Sequence, residues 1–528
     1  MTGARLPKLS DRTSGVLLHP TSLPGEPLGA PAREFVDFLA AAGQSWWQTL
    51  PIGPTGYGNS PYSAQSAFAG NPTLVNVERL VDDGLLGAGD RRHAGGGHLQ
   101  NAFATFLRDG GLRNPDFQGF LQETRDWLDD FALYRTIKAA HGEVQWTRWP
   151  APLRDRDPEA LARVREERPD ELDFARFVQW RFTGDWERLR AHAHARGVAL
   201  IGDLPIFVAH DSADVWQHRT QFFVDQAGEP TLIAGVPPDY FSATGQRWGN
   251  PLYRWAEMRA TGYAWWVARF RATLAAFDAV RLDHFIGYTR YWAIPAGEPT
   301  AVNGRWRPGP GTRFFRALQT ELGELPLIAE DLGLVTPEVE SLRDRFGFPG
   351  IKLLQFAFGT DPQGPSFLPH NYPRAAVAYT GTHDNDTTVG WFHDPGSGTR
   401  SAEQTATERR KALHYLGAPE GDDGHDIHWR MIRAVMASVA NLAVIPVQDL
   451  LGLGSEARMN RPGTAEGNWA FHLPPRALTP AIGDRLRDLS ETYGRMKPAT
   501  SAGEFISPER VGERGAKGRA APDAPRTR

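Results

Sequence analysis

The sequence predicts an α/β protein, a (β/α)8 barrel (TIM barrel) with largely helical insertions on its catalytic face and no C-terminal β-sandwich. Three observations lead there. Eight short apolar runs recur along the chain, and most are continuous rather than alternating, as strands buried on both faces must be. Helical patterns fall between several of them, the order that builds a parallel sheet. Three of the runs also end in carboxylates, where barrels place their chemistry. A doubly wound open sheet is the competing architecture, but no glycine-rich phosphate turn follows the first run.

In chain order the strands are GVLLH from Gly15, SWWQTLP from Ser45, VALIGDLPIFV from Val198 and AFDAVRLDH ending at His284. LPLIAEDL, GIKLLQF from Gly350, AVAYTGTHD ending at Asp384 and LAVIPVQDLLG from Leu442 complete the set. PAREFVDFLAAAG reads as a helix before the second strand, FFRALQTELG before the fifth and TPEVESLRDRFG before the sixth. The spacing is uneven. Residues 52–197 exceed any ordinary connection and read as a helical insertion. Within it FLQETRDWLDDFALYRTIKAAHG, from Phe120, has helical periodicity, and a second pattern puts Phe174, Phe177, Val178 and Phe182 on one face. Further loops are expected at about 210–277 and 385–441. The barrel then takes up residues 1–506, its last helix LTPAIGDRLRDLSETYGRM, and an Arg-, Ala-, Gly- and Pro-rich tail at 507–528 reads as disordered.

The chain has 528 residues, a formal charge of −4 and no cysteine. Disulfides, thiol catalysis and cysteine–metal sites are thereby excluded, and the charge gives no reason to expect nucleic acid or an anionic membrane as partner. No apolar stretch of signal-peptide or membrane-span character stands out, so a cytoplasmic location is expected. Seventeen tryptophans supply core, and their faces also suit sugar rings. His192 and His194 lie two apart on a helix and share no face, His93 and His98 only flank a glycine loop, and HDND lacks calcium-loop spacing. No metal or cofactor is expected.

The chemistry concentrates at three strand ends. In AFDAVRLDHF, alternation puts Arg281 and Asp283 on one face and Leu282 on the other. Read alone, the pair is either a nucleophile kept ionised by a fixed cation or a buried ion pair closing a strand. LPLIAEDLG delivers Glu330 and Asp331, and AVAYTGTHDND delivers Thr382, His383, Asp384, Asn385 and Asp386. Any one of these acids could instead cap a following helix, Asp331 and Asp386 above all. A glycosidase needs two carboxyls facing one sugar, and the chain offers three in barrel order. Asp203, in GDLPIFV, suits either a sugar hydroxyl or Arg281. Tyr57, Ser60 and Tyr62, after the second strand, could contact sugar or merely stabilise their loop.

RLDHF, IAEDLG and GTHDND resemble the signatures of the 4-α-glucanotransferases, the amylomaltase or disproportionating-enzyme family of the α-amylase clan. LLHPTSLPG, GPTGYGNSPY, GDLPIFVAHDSADVW, GVPPDYFSATGQRWGNPLY and ARMNRPGT agree, so the resemblance runs from Gly15 to about Leu473. It implies that Asp283 is the nucleophile, Glu330 the general acid/base and Asp384 the transition-state stabiliser, with His284 and His383 at hydroxyls of the donor sugar. Maltooligosaccharides and α-1,4-glucans would be the substrates. A hydrolase using the same carboxylates, or a glucan-binding barrel without catalysis, are the alternatives. In GVPPDYFSATGQRWGNPLY, from Gly235, Asp239, Gln246, Trp248 and Asn250 are expected to form a lid over the acceptor sugar, the other reading being a structural loop. Arg458, Asn460, Asn468 and Trp469 read as scaffold. Two positions depart from the family pattern: Ile286 stands where members commonly have Arg, and Phe471-His472 where they commonly have Trp-Arg.

Overall fold

Eight parallel strands close on themselves in the computed structural model, which describes residues 5–87, 97–238, 242–396, 400–419, 421–464 and 466–496. The barrel strands are β1 (Thr13–Leu17), β2 (Trp46–Gln48), β3 (Ala199–Leu204), β6 (Ala279–Leu282), β9 (Leu327–Ala329), β10 (Gly350–Leu353), β11 (Ala376–Tyr379) and β12 (Leu442–Pro446). They follow one another around the barrel in chain order, and β12 returns to pair with β1. Seven lie within the expected apolar runs, and β1 overlaps its run but starts two residues earlier. Nearly every strand residue is buried, because the inner faces fill the barrel and the outer faces meet helices. Leu17, Trp46, Ile201, Ile328, Ile351, Val377, Tyr379 and Val444 belong to the inner cluster. Gly202 lets the Phe277 ring lie against β3, since a Cβ there would come within 2.4 Å of it.

Helices occupy the expected connections. Ala30–Ala41 precedes β2, Gly311–Leu322 precedes β9 and Pro337–Arg345 precedes β10. The insertion holds two long helices, Pro115–Ala140 and Pro169–Ala195, packed on each other. Phe177, Val178 and Phe182 are buried, Phe177 against the rings of Phe103 and Phe106. Asn114 caps the first of the two through hydrogen bonds from the amides of Asp116 and Phe117. Ala402–Tyr415 begins with a reciprocal Ser401–Gln404 capping box.

A second sheet is the main difference from the sequence reading. β4 (Leu232–Val236), β5 (Gln246–Pro251), β7 (Arg290–Pro295) and β8 (Arg305–Pro308) form an antiparallel sheet in the order β5-β4-β7-β8. The stretch expected to be a loop at 210–277 therefore contains a hairpin, and the connection between β6 and β9 supplies its partners. The expected Asp239 lies outside the described residues, as do the glycine loop at 88–96 and the tail at 507–528.

Two arginines tie the N-terminal face of the barrel at the β1–β12 seam. Arg495, fully buried, donates to the carbonyls of Thr13 at 2.8 Å, Met436 at 2.7 Å, and Ser438 and Ala440 at 3.0 Å. Arg12 donates to Ser438 O at 2.8 Å and Tyr493 O at 2.9 Å. The helix Ile427–Ala437 ends here, so both cations also meet the negative end of its dipole.

Candidate active site

Backbone register brings the charged groups together. Asp203 on β3 pairs with Arg281 on β6, and both side chains project toward the C-terminal mouth. Arg281 Nη1 donates to Asp203 Oδ1 at 2.9 Å and Oδ2 at 2.8 Å, and to Asp283 Oδ1 at 2.9 Å. One guanidinium thus serves two carboxylates, but they differ in access. The Asp203 side chain has no exposed surface, whereas that of Asp283 is 27 % exposed. Asp203 is thereby held on Arg281, one of the two roles expected of it. Tyr62 adds a third hold, its hydroxyl donating to Asp203 Oδ2 at 2.9 Å.

Glu330 follows β9, the neighbour of β6, and Leu282 pairs with Ala329, so Asp283 and Glu330 leave adjacent strands at the same level. Parallel strands lie about 4.8 Å apart. Glu330 is buried, and its oxygens accept from the backbone amides of His284 at 2.6 Å and Leu332 at 3.2 Å. His284 has a left-handed backbone with φ +51°, a conformation that costs a non-glycine residue about 1–2 kcal/mol. That strained turn aims its N–H at Glu330. Burial pushes the Glu330 carboxyl up to about 8, with the negative Asp283 acting in the same direction and Arg281 opposing. Burial also lowers His284 to about 4 and lowers His383, so both rings are neutral at pH 7.

Asp384 reaches the mouth from β11. Asn460 Nδ2 donates to its Oδ1 at 2.6 Å and Arg458 Nη2 to its backbone carbonyl at 2.6 Å. Arg458 and Asn460, read as scaffold in the sequence, support this residue directly: Asn460 meets its carboxylate and Arg458 its main chain. The available signal was their place in ARMNRPGT, just beyond the last strand. His383 lies under the Tyr62 ring, stacked at 5.1 Å, and Trp469 borders both rings at 5.8 and 6.0 Å. Asp331 is not a helix cap: it pairs with Arg343 and accepts from Ile351 N at 2.9 Å, closing over Gly350, where any Cβ would sit 2.5 Å from its Oδ2.

The remaining expected residues divide. Trp248 meets the His284 ring edge-on at 4.9 Å and donates to Gln246 Oε1 at 3.1 Å, which brings the β5 strand to the site. Alternation turns Arg247 the other way, onto the carbonyls of Ala296 and Glu298. Asn250 donates to Val208 O at 2.9 Å and so ties β5 to the loop after β3. Ser60 Oγ accepts from Tyr62 N at 3.2 Å and shapes that loop. Tyr57 stands 82 % exposed on the same loop and touches none of the three carboxylates. Ile286, one of the departures, is buried in the turn Phe285–Tyr288, and His472 is exposed.

This arrangement of carboxylates beyond the ends of β6, β9 and β11 coincides with family-wide similarity. The 4-alpha-glucanotransferase family profile matches residues 18–477. The chain belongs to this family. Among 4-alpha-glucanotransferases it is 48 % identical to that of Thermus thermophilus, over 92 % of this chain and 99 % of that protein. It is 39 % identical to the chloroplastic/amyloplastic 4-alpha-glucanotransferase of Solanum tuberosum, over 92 % of this chain and 87 % of the other. The amylomaltase of Streptococcus agalactiae, solved in complex with acarbose, superposes with a TM-score of 0.85 at 34 % identity, covering 92 % of this chain and all of that one. Among the described residues no helix is long and apolar enough to cross a membrane.

Proposed function

We propose that this 4-alpha-glucanotransferase moves α-1,4-glucan segments between maltooligosaccharides by a retaining double displacement, with Asp283 as nucleophile and Glu330 as general acid and base. The contrast between these two neighbouring carboxyls carries the reading. Asp283 is accessible and bonded to a guanidinium; Glu330 is buried and pushed up to about 8, which leaves it protonated at neutral pH. A retaining mechanism needs that pair on one sugar, roughly 5–5.5 Å apart.

In the first step Glu330 gives its proton to the glycosidic oxygen as the C1–O bond breaks, and Asp283 attacks C1 to form a glycosyl ester. The shortened glucan leaves with the proton. An acceptor 4-hydroxyl then yields its proton to the Glu330 carboxylate while its oxygen displaces Asp283, restoring both groups. Asp384, fixed by Asn460, stabilises the positive charge that develops at C1. His284 and His383, kept neutral, offer ring nitrogens to sugar hydroxyls. Trp248, Gln246 and Asn250 bound the acceptor side, and the insertion at 52–197, with Tyr57 and Ser60 on its first loop, walls the cleft.

Incubation with maltotriose followed by chromatography tests this. Glucose plus a ladder of longer oligomers is expected. Maltose and glucose alone would mean hydrolysis, and unchanged substrate would refute catalysis altogether.

A further inference from the structure

The mouth of the barrel contains a histidine that the mechanism above does not use. His19 follows β1 directly, is only 5 % exposed, and its Nδ1 is buried without a hydrogen-bond partner. It lines a cavity of about 20 Å³ whose polar wall includes Thr382, His383, Asp386, Gln448 and Arg458. Burial pushes His19 down to about 3, and His383 lies close enough to oppose a proton on it electrostatically. His19 is therefore neutral, with one ring nitrogen donating and the other accepting.

A buried polar atom with no partner costs about 1–3 kcal/mol, so some group must meet this ring. The space decides which. A water needs at least about 10–15 Å³ and two to four polar neighbours, which this cavity offers; a glucose ring is several times larger. The cavity also lies against His383 on the side of β1, β11 and β12, away from Asp283 and Glu330 on β6 and β9. We infer that His19 is a positioning residue, which through one bound water fixes the tautomer and orientation of His383 and so the hydrogen bond His383 makes to the donor sugar. The inference rests on the assignment of His383 to that sugar.

A double-mutant cycle on the full-length enzyme with maltotriose tests it. His19→Leu removes both ring nitrogens and should lower kcat/KM roughly tenfold, chiefly through KM, at an unchanged melting temperature. His19→Gln keeps a hydrogen-bonding group in the space and should stay within about threefold of wild type. In a His383→Ala background the His19→Leu change should cost less than about twofold, because the residue it acts through is gone. Equal losses in both backgrounds, or no loss in either, would overturn the role of His19. Should His383→Ala alone leave KM unchanged, the assignment of His383 to the sugar falls, and the inference with it, by a separate measurement. Where His19→Leu does not fold, the ring 15N shifts of His383 in a His19→Ala enzyme decide: an altered tautomer ratio supports the relay and an unaltered one refutes it.

Discussion

At the scale of single residues, Asp283 and Glu330 have nearly the same chemistry and different surroundings: Asp283 is accessible and bonded to Arg281, and Glu330 is buried. Glu330→Gln and Asp283→Asn keep size and remove the proton or the charge, so each should abolish transfer without lowering the urea midpoint. Near-normal turnover in either would refute its role. Because the Glu330 carboxyl is raised to about 8, activity should fall as pH rises through that value, as the acid is lost. The same shift makes a stability statement. Between the ordinary carboxyl range and about 8 the folded state holds a proton that the unfolded chain has released, so stability declines as pH rises across that window. Glu330→Gln should lessen this decline without abolishing it, because burial also raises Asp203 to about 7, and urea midpoints of both proteins at pH 5 and pH 8 would show whether it does. Asn460→Ala leaves Asp384 without its 2.6 Å partner and should cost roughly 10–100-fold in kcat, the value of a charge-assisted hydrogen bond, with little change in melting. A loss below threefold would mean that Asp384 needs no such support. The three carboxylates were legible in the sequence because each follows its own apolar strand. The partners of Asp384 were not, since Arg458 and Asn460 stand 74 and 76 residues away and meet it only in the closed barrel.

At the scale of elements, the informative case is the β4–β5 hairpin. The barrel strands announce themselves as continuous apolar runs, but β5 reads Gln-Arg-Trp-Gly-Asn-Pro and β8 reads Arg-Trp-Arg-Pro. Both are edge strands, half exposed, with proline and charge where a buried strand has neither, so composition alone reads them as loop. The hairpin matters because transfer must beat hydrolysis. Water stands at about 50 M and an acceptor sugar near millimolar, so the acceptor needs an advantage of roughly four decades, about 5–6 kcal/mol. The carboxylates serve either acceptor alike. Trp248 is seated against His284, and on the mechanism proposed above it would exclude water and receive a sugar face. Trp248→Ala and Gln246→Ala should therefore raise the ratio of free reducing ends to transferred glucose by more than they change total turnover. An unchanged ratio in both variants would show that this strand does not guard the glycosyl-enzyme.

At the scale of the whole molecule, the barrel is sealed by Arg495 and Arg12, whose partners are main-chain carbonyls from β1, the segment before β12 and the end of the helix Ile427–Ala437. Arg495→Met keeps bulk but strands several buried acceptors, for an expected loss on the order of 3–5 kcal/mol. The urea midpoint should drop while kcat at 25 °C, set at the opposite face, stays unchanged; an unaltered midpoint would show that the seam holds without the clasp. The position of this clasp also sets a schedule for the newborn polypeptide. β1 emerges from the ribosome early, yet one of its edges has no partner until residue 446 has followed, and its seal waits for residue 495. At about 5–20 residues per second that interval is roughly 25–100 s. For that time the nascent chain carries an open strand edge, so the price of a seam made between the two ends of the chain is a long period of dependence on whatever keeps unfinished chains apart.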